Sequence, residues 1–208
     1  SPDGDAIGSS LGLYHFLRNQ GHDVQVITPT DFPDFLKWMP AAQDILIYPN
    51  EESKFAQRIA NSTLIFTLDF NNLLRAKPLT PLLEQSGADL VMIDHHQQPD
   101  TYAKITYSDD KASSTCELIY KTIVSLSSVE AINYEIATCL YTGIMTDTGG
   151  FRYSLTSAET HRIVATLLEK GADCTKISSQ VLDSYSIDRL LLLGHVLNDL
   201  TYLEQYRT

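Results

Sequence analysis

The sequence predicts an α/β fold: a doubly wound, mostly parallel sheet flanked by helices, with a helical second half. Three observations carry this. Short apolar runs alternate with longer amphipathic stretches through the first half of the chain, the pattern of a parallel sheet with crossover helices. Beyond residue 107 the remaining stretches read almost entirely as helix. The chain has 208 residues, 43% of them hydrophobic, enough for one large domain with its own core or for two small ones.

The elements follow in order. A helix is expected over 6–19, just after "SPDGD", and a strand over 24–27, the run Val24-Gln25-Val26-Ile27. "ILIY" predicts a strand over 45–48, and a helix over 51–60 leads to the strand "LIFTL" over 64–68. A helix over 73–84 is interrupted around Pro78 and Pro81, because proline removes a backbone donor and crowds the preceding turn. "LVMI" predicts a strand over 90–93 and "KITY" one over 104–107. Helices are then expected over 114–125, 134–145, 158–170, 175–183 and 187–204. The last carries leucines at 190, 191, 192, 193, 197, 200 and 203. It is expected to pack broadly, on this domain, on a partner (a homodimer included) or on a further domain.

Composition narrows the function classes. The formal net charge of −11 argues against a basic surface for long duplex nucleic acid. A phosphate-bearing substrate would need local basic residues or metal ions. Cys116, Cys139 and Cys174 lack CxxC spacing and read as reduced thiols of a cytoplasmic protein. No apolar run approaches the roughly 20 residues of a membrane span, so no membrane association is expected.

Ligands of open α/β sheets bind at the carboxyl ends of strands, and acidic residues gather there. Asp69 follows the strand over 64–68; Asp94, His95 and His96 follow the strand over 90–93. Asp3 and Asp5 precede the first helix, and Asp147 ends a helix before Gly149-Gly150. Singly, each has an ordinary structural reading, as a helix cap or the start of a turn. Together, five carboxylates at one sheet edge would repel one another, and divalent cations remove that cost. Carboxylate and imidazole donors without thiolates suit Mn2+ or Mg2+, with Zn2+ and Fe2+ as alternatives. Two such ions activate water and clamp a phosphoryl group, which reconciles an acidic protein with a phosphate substrate.

The segments "SPDGDAIGSS", "TLDFNN", "IDHH" and "GIMTDTGGFRYS" resemble, in order and spacing, the four motifs of the DHH phosphoesterase superfamily. Nearly the whole chain is similar to that family's N-terminal catalytic domain. "KASSTCELIY" over 111–120 adds a likeness to the bacterial oligoribonuclease (nanoRNase) branch, which also dephosphorylates 3′-phosphoadenosine 5′-phosphate (pAp). The resemblance implies two divalent ions, with Mn2+ the expected species. Asp3 would ligate the first, Asp5 the second, and Asp69 both, while His95 and Asp147 would complete the second ion's shell. His96 would face the substrate phosphate as donor or general acid, and Asp94 would orient a histidine ring. The resemblance further implies a histidine four residues before Asp3, upstream of Ser1, and a glycine-rich substrate domain beyond Thr208. Residues 1–186 then form the catalytic domain and 187–208 a connecting helix. The implied substrates are short single-stranded RNA and pAp. Pyrophosphate, polyphosphate, cyclic-dinucleotide products and nucleotide binding without turnover are the alternatives.

Other residues keep two readings. Ser113, Ser114 and Thr115 open a helix whose N-terminus would favour an anion, and capping alone explains them equally well. Arg152 suits a bidentate phosphate contact or an exposed ion pair. Gly4 and Gly8 match no phosphate-loop pattern and are read as letting a loop reach the helix start. Ser9 and Ser10 read as capping residues. His161, on the helix expected over 158–170, reads as structural or solvated, and His15, His22 and His195 lack the acidic company in sequence that would make them ligands. Asn71 stands where a haloacid-dehalogenase-type phosphatase needs a second aspartate.

Overall fold

The computed structural model describes residues 1–48, 52–183 and 187–201. Its strands are all parallel, but they form two pieces. β1 (Ile27–Thr28) pairs with β2 (Leu46–Ile47). β3 (Leu64–Leu68), β4 (Asp89–Asp94) and β5 (Ile105–Ser108) form a second sheet in that order, with Leu68 beside Ile93 and Asp94 beside Ser108 at the carboxyl ends. The expected strands over 64–68 and 90–93 stand, the latter longer by a residue at each end. Those over 24–27 and 45–48 contract to two residues each, the first displaced to 27–28. Among the described residues β1 and β3 do not pair with each other. β1 therefore has a ladder on only one side, and isolated two-stranded pairing is marginal.

The helices are α1 (Gly4–Asn19), α2 (Glu52–Asn61), α3 (Thr80–Glu84), α4 (Thr115–Leu126), α5 (Tyr134–Asp147), α6 (Ala158–Glu169), α7 (Cys174–Leu182) and α8 (Ile187–Asn198). Position 51 of the expected second helix, 202–204 of the expected last one and 205–208 lie outside the described residues. The stretch over 73–84 divides at its prolines into a 3-10 turn, Leu73–Ala76, and the short α3. α8 leaves its leucines uncovered: Leu190, Leu191, Leu192, Leu193 and Leu197 are all more than half exposed.

The main core lies between the β3-β4-β5 sheet and α1, α4, α5 and α6, around Phe16, Leu68, Ile93, Leu118, Ile136, Leu140 and Ile163. α1 and α5 run antiparallel along a seam of small residues. A Cβ at Gly8 would lie 2.6 Å from the Cys139 carbonyl and 3.1 Å from Gly143 Cα; one at Gly12 would meet Leu140. Gly4 and Gly8 are thus not loop glycines but members of α1, where the missing side chains let α5 approach. Ser9 likewise donates to the Asp5 carbonyl at 2.7 Å, within the helix, rather than capping it.

Candidate metal centre

Four elements deliver side chains to one point. β3 ends at Leu68, and Asp69 turns out of the sheet with φ +64°, a left-handed conformation that Asp tolerates better than most residues. Its N–H still donates to the Ile93 carbonyl at 3.2 Å, which locks it to β4. β4 ends in Asp94, followed by His95 and His96. Asp5 comes from the first turn of α1, and Asp147 is the last residue of α5. The antiparallel α1–α5 contact is what brings these last two together.

His95 is the hub. Its Nδ1 lies 3.4 Å from the Ala112 carbonyl, an acceptor that calls for a proton on Nδ1. Its Nε2 then turns a lone pair toward Asp147 Oδ2 at 3.5 Å, Asp69 Oδ1 at 3.7 Å and Asp5 Oδ2 at 3.8 Å. Acceptors thus face acceptors, at separations too long for good hydrogen bonds. Donors sharing one cation at about 2.1 Å lie roughly 3.0–3.5 Å apart at octahedral or tetrahedral angles. Two overlapping sets come near that spacing: Asp5, His95 and Asp147, and Asp69, His95 and His96, each with donor atoms within 4.8 Å of one another, wide enough to draw in on a cation. The residues fit divalent ions.

The electrostatics agree. Burial pushes the Asp69 carboxyl well above the ordinary carboxylate range, and the charges of Asp5 and Asp3 push it further. Burial lifts Asp147 to about 6, with Asp5 adding and His95 opposing. Asp147 also sits at a helix C-terminus, where negative charge is disfavoured. Burial raises Asp5 as well, against the pull of its hydrogen bonds and of His95. A bound cation relieves all three.

A second layer holds these carboxylates. Asp5 accepts from the backbone N–H of Thr115 at 2.6 Å and of Cys116 at 2.9 Å. Asp5 is therefore the anion at the N-terminus of α4. Thr115 Oγ1 donates to Asp69 Oδ1 at 3.0 Å, so one residue touches both carboxylates. Glu117, itself buried, accepts from the Ser113 hydroxyl at 2.7 Å and the Thr160 hydroxyl at 2.9 Å. Cys116 and Glu117 were not singled out from sequence, and Thr115 only as part of a helix start. The pattern Ser114-x-x-Glu117 marks a helix start, but nothing in it announces contacts with residues more than a hundred positions away.

Each expected residue has a definite place. Asp94, fully buried, accepts from His96 Nδ1 at 2.7 Å and so orients that ring. His96 also joins Asp69 and His95 in a possible ion site, a role the resemblance does not assign to it. Asp3 caps α1, its Oδ1 accepting from Asp5 and Ala6 N–H. It lies outside both donor sets but close enough to influence Asp69 and Asp147. The Ser113 hydroxyl is spent on Glu117, and Ser114 Oγ accepts the Glu117 N–H at 3.1 Å, so both serve the opening of α4. Arg152 donates from Nε to the Gly149 carbonyl at 2.6 Å and, among the described residues, forms no ion pair. The exposed pair expected of it is replaced by a clasp on its own loop. His161 is exposed and lies against Phe151.

Fold and site together define a parallel α/β domain with a histidine–carboxylate cluster that could hold a metal ion at the carboxyl ends of its strands. The chain belongs to the DHH family: residues 1–144 match that family's N-terminal domain. It is 30% identical over 201 residues to the bifunctional oligoribonuclease and PAP phosphatase NrnA of Thermus thermophilus, covering 97% of this chain and 57% of that protein. It is 29% identical over 209 residues to the cyclic-di-AMP phosphodiesterase GdpP of Bacillus subtilis, covering 93% of this chain and 30% of that protein. Among solved structures, an exopolyphosphatase-related protein of Bacteroides fragilis superposes with a TM-score of 0.96 at 45% identity, over 99% of this chain and 61% of that one. The chain thus spans somewhat more than half the length of the first and last of these.

Proposed function

We propose that the chain is the catalytic domain of a divalent-metal phosphoester hydrolase acting on short oligoribonucleotides and pAp. The observation that carries this is the placement of His95 Nε2 among the carboxylates of Asp5, Asp69 and Asp147. Asp5, Asp69, His95 and Asp147 would hold two ions, with His96 and Asp3 at the margin of the set. Divalent ions so bound supply Lewis acidity toward a phosphoryl oxygen and lower the pKa of water at neutral pH. No side-chain nucleophile is then required. With its Nδ1–H donated to Asp94, His96 would have Nε2 left to hold or accept a proton at the substrate phosphate. Residues 1–186 would form this domain and 187–208 a connection toward a substrate-gripping domain. The NrnA relative supports the choice of substrates.

The test is turnover of pAp and dinucleotides by the full-length protein, with Mn2+ and with Mg2+ in parallel. His95→Ala or Asp147→Ala should lower turnover by roughly a thousandfold, since ion-borne charge stabilisation is worth several kcal/mol. Full turnover in either variant would refute the ligand assignment. The GdpP relative favours a second reading, hydrolysis of cyclic-dinucleotide products. Competition between pAp, dinucleotides and linear diadenylate separates the two.

A further inference from the structure

We propose that Asn71 is a positioning residue for the candidate metal centre: it clasps the loop after β4 to the loop after β3 and so sets the distance between Asp69 and the pair His95 and His96. The proposal rests on the reading of those three side chains as ion ligands.

The two loops are tied at two levels. The inner tie continues the sheet: the Asp69 N–H donates to the Ile93 carbonyl at 3.2 Å. The outer tie is Asn71, whose Nδ2 donates to the Gln97 carbonyl at 2.7 Å. Between the ties the arms are unequal. Only Phe70 separates them on the β3 side, while Asp94, His95 and His96 separate them on the other. A long arm closed against a short one must bow, as the extra residue of a β-bulge does. The bow carries both imidazoles, and Asp69 stands on the short arm. Its Oδ1 lies 3.7 Å from His95 Nε2 and 3.9 Å from His96 Nδ1.

Asn71 also holds the far side of the next turn. Its carbonyl accepts the Asp100 N–H at 2.9 Å, so one residue grips both ends of the turn over 97–100. Inside that turn Gln98 takes φ +58°, a backbone that a residue other than glycine keeps only when its surroundings hold it. Further out, Asn72 Nδ2 donates to Asp100 Oδ2 at 3.1 Å. The Tyr102 and Thr67 hydroxyls lie 2.7 Å apart and return the chain to β3. Asn71, Gln97 and Asp100 belong to neither donor set, so the clasp acts on the ligands without being one.

The chemistry of position 71 follows. A carboxylate there would set an acceptor against the Gln97 carbonyl and add negative charge two residues from Asp69. An amide supplies the donor without the charge.

The experiment compares Asn71→Ala with Asn72→Ala in the full-length protein. Asn72→Ala gives up its tie to Asp100 and also the acceptor that caps the Leu74 N–H at 2.7 Å. A purely structural role would therefore weigh at least as much on Asn72. Mn2+ affinity by calorimetry should fall roughly tenfold in Asn71→Ala and less than about twofold in Asn72→Ala. The melting temperature in chelator should drop less in Asn71→Ala than in Asn72→Ala. Amide hydrogen exchange in chelator reads the clasp without the ion: at His96 and Asp100 it should quicken at least about threefold in Asn71→Ala. Mn2+ affinity unchanged in Asn71→Ala, or lost equally in both variants, would overturn the positioning role and leave the ion site standing. Unchanged exchange at both amides would overturn it too. A natural protein that binds no Mn2+ would refute the ion reading itself, and the positioning role with it.

Discussion

Asp147 and Thr115 show what single residues contribute to the centre. In the metal-free protein the Asp147 carboxyl titrates near 6, above its ordinary 3.8. Between those values the folded state keeps a proton that the unfolded state gives up, so stability falls as pH rises through the window. Asp147→Asn has no such proton to lose. In chelator, the variant should therefore gain on the natural protein between about pH 4 and about pH 7, by on the order of 2 kcal/mol in urea unfolding. With Mn2+ present the order should reverse, since the natural carboxylate is the proposed ion ligand. Thr115→Val removes the hydroxyl that steadies Asp69 while keeping its size. Mn2+ affinity by calorimetry should drop roughly 10–100-fold, and Thr115→Ser should restore most of it. Asp69, His95 and Asp147 were legible in the sequence because motif order betrays them. Thr115 was legible only as part of a helix start, because its bond to Asp69 spans 46 positions.

At the scale of elements, α4 and the α1–α5 seam decide where the carboxylates sit. A Cβ at Gly143 would collide with Cys116 Sγ and crowd Asp5 Cα. Gly143→Ala should destabilise the fold by about 1–3 kcal/mol despite the better helix propensity of alanine, checked by thermal unfolding. Glu117→Ala strands the buried Ser113 hydroxyl and takes one partner each from Thr160 and Lys121, which keep Ser157 and Glu159. A cost of about 2–4 kcal/mol is expected in the same assay. The helices were well marked by their periodicity, and α5 and α6 fall within two residues of expectation. β1 and β2 were not. Their length depends on which neighbour completes the ladder, and that is a property of the sheet rather than of the runs Val24-Gln25-Val26-Ile27 and Ile45-Leu46-Ile47-Tyr48.

For the whole molecule, the histidine–carboxylate cluster gathers residues of α1, α5 and the ends of β3 and β4 at one end of the sheet, so an ion bound there would belong to the folding equilibrium. Mn2+ at a hundred times its dissociation constant should add about 2.7 kcal/mol. For a chain of this size that corresponds to a melting temperature higher by roughly 5–10 °C, reversed by chelator. A scan that does not move with Mn2+ would refute an ordered ion site.

The close contact of α1 and α5 has a reach beyond stability. Asp5 rides at the start of one helix and Asp147 at the end of the other, so the two carboxylates are the jaws of a caliper. Its opening is set by how near Gly8 and Gly12 let the helix axes come. A methyl group at Gly12, two turns from Asp5, would wedge the jaws apart without touching a ligand. The protein would then rank cations differently by radius, losing the smaller Mg2+ before the larger Mn2+.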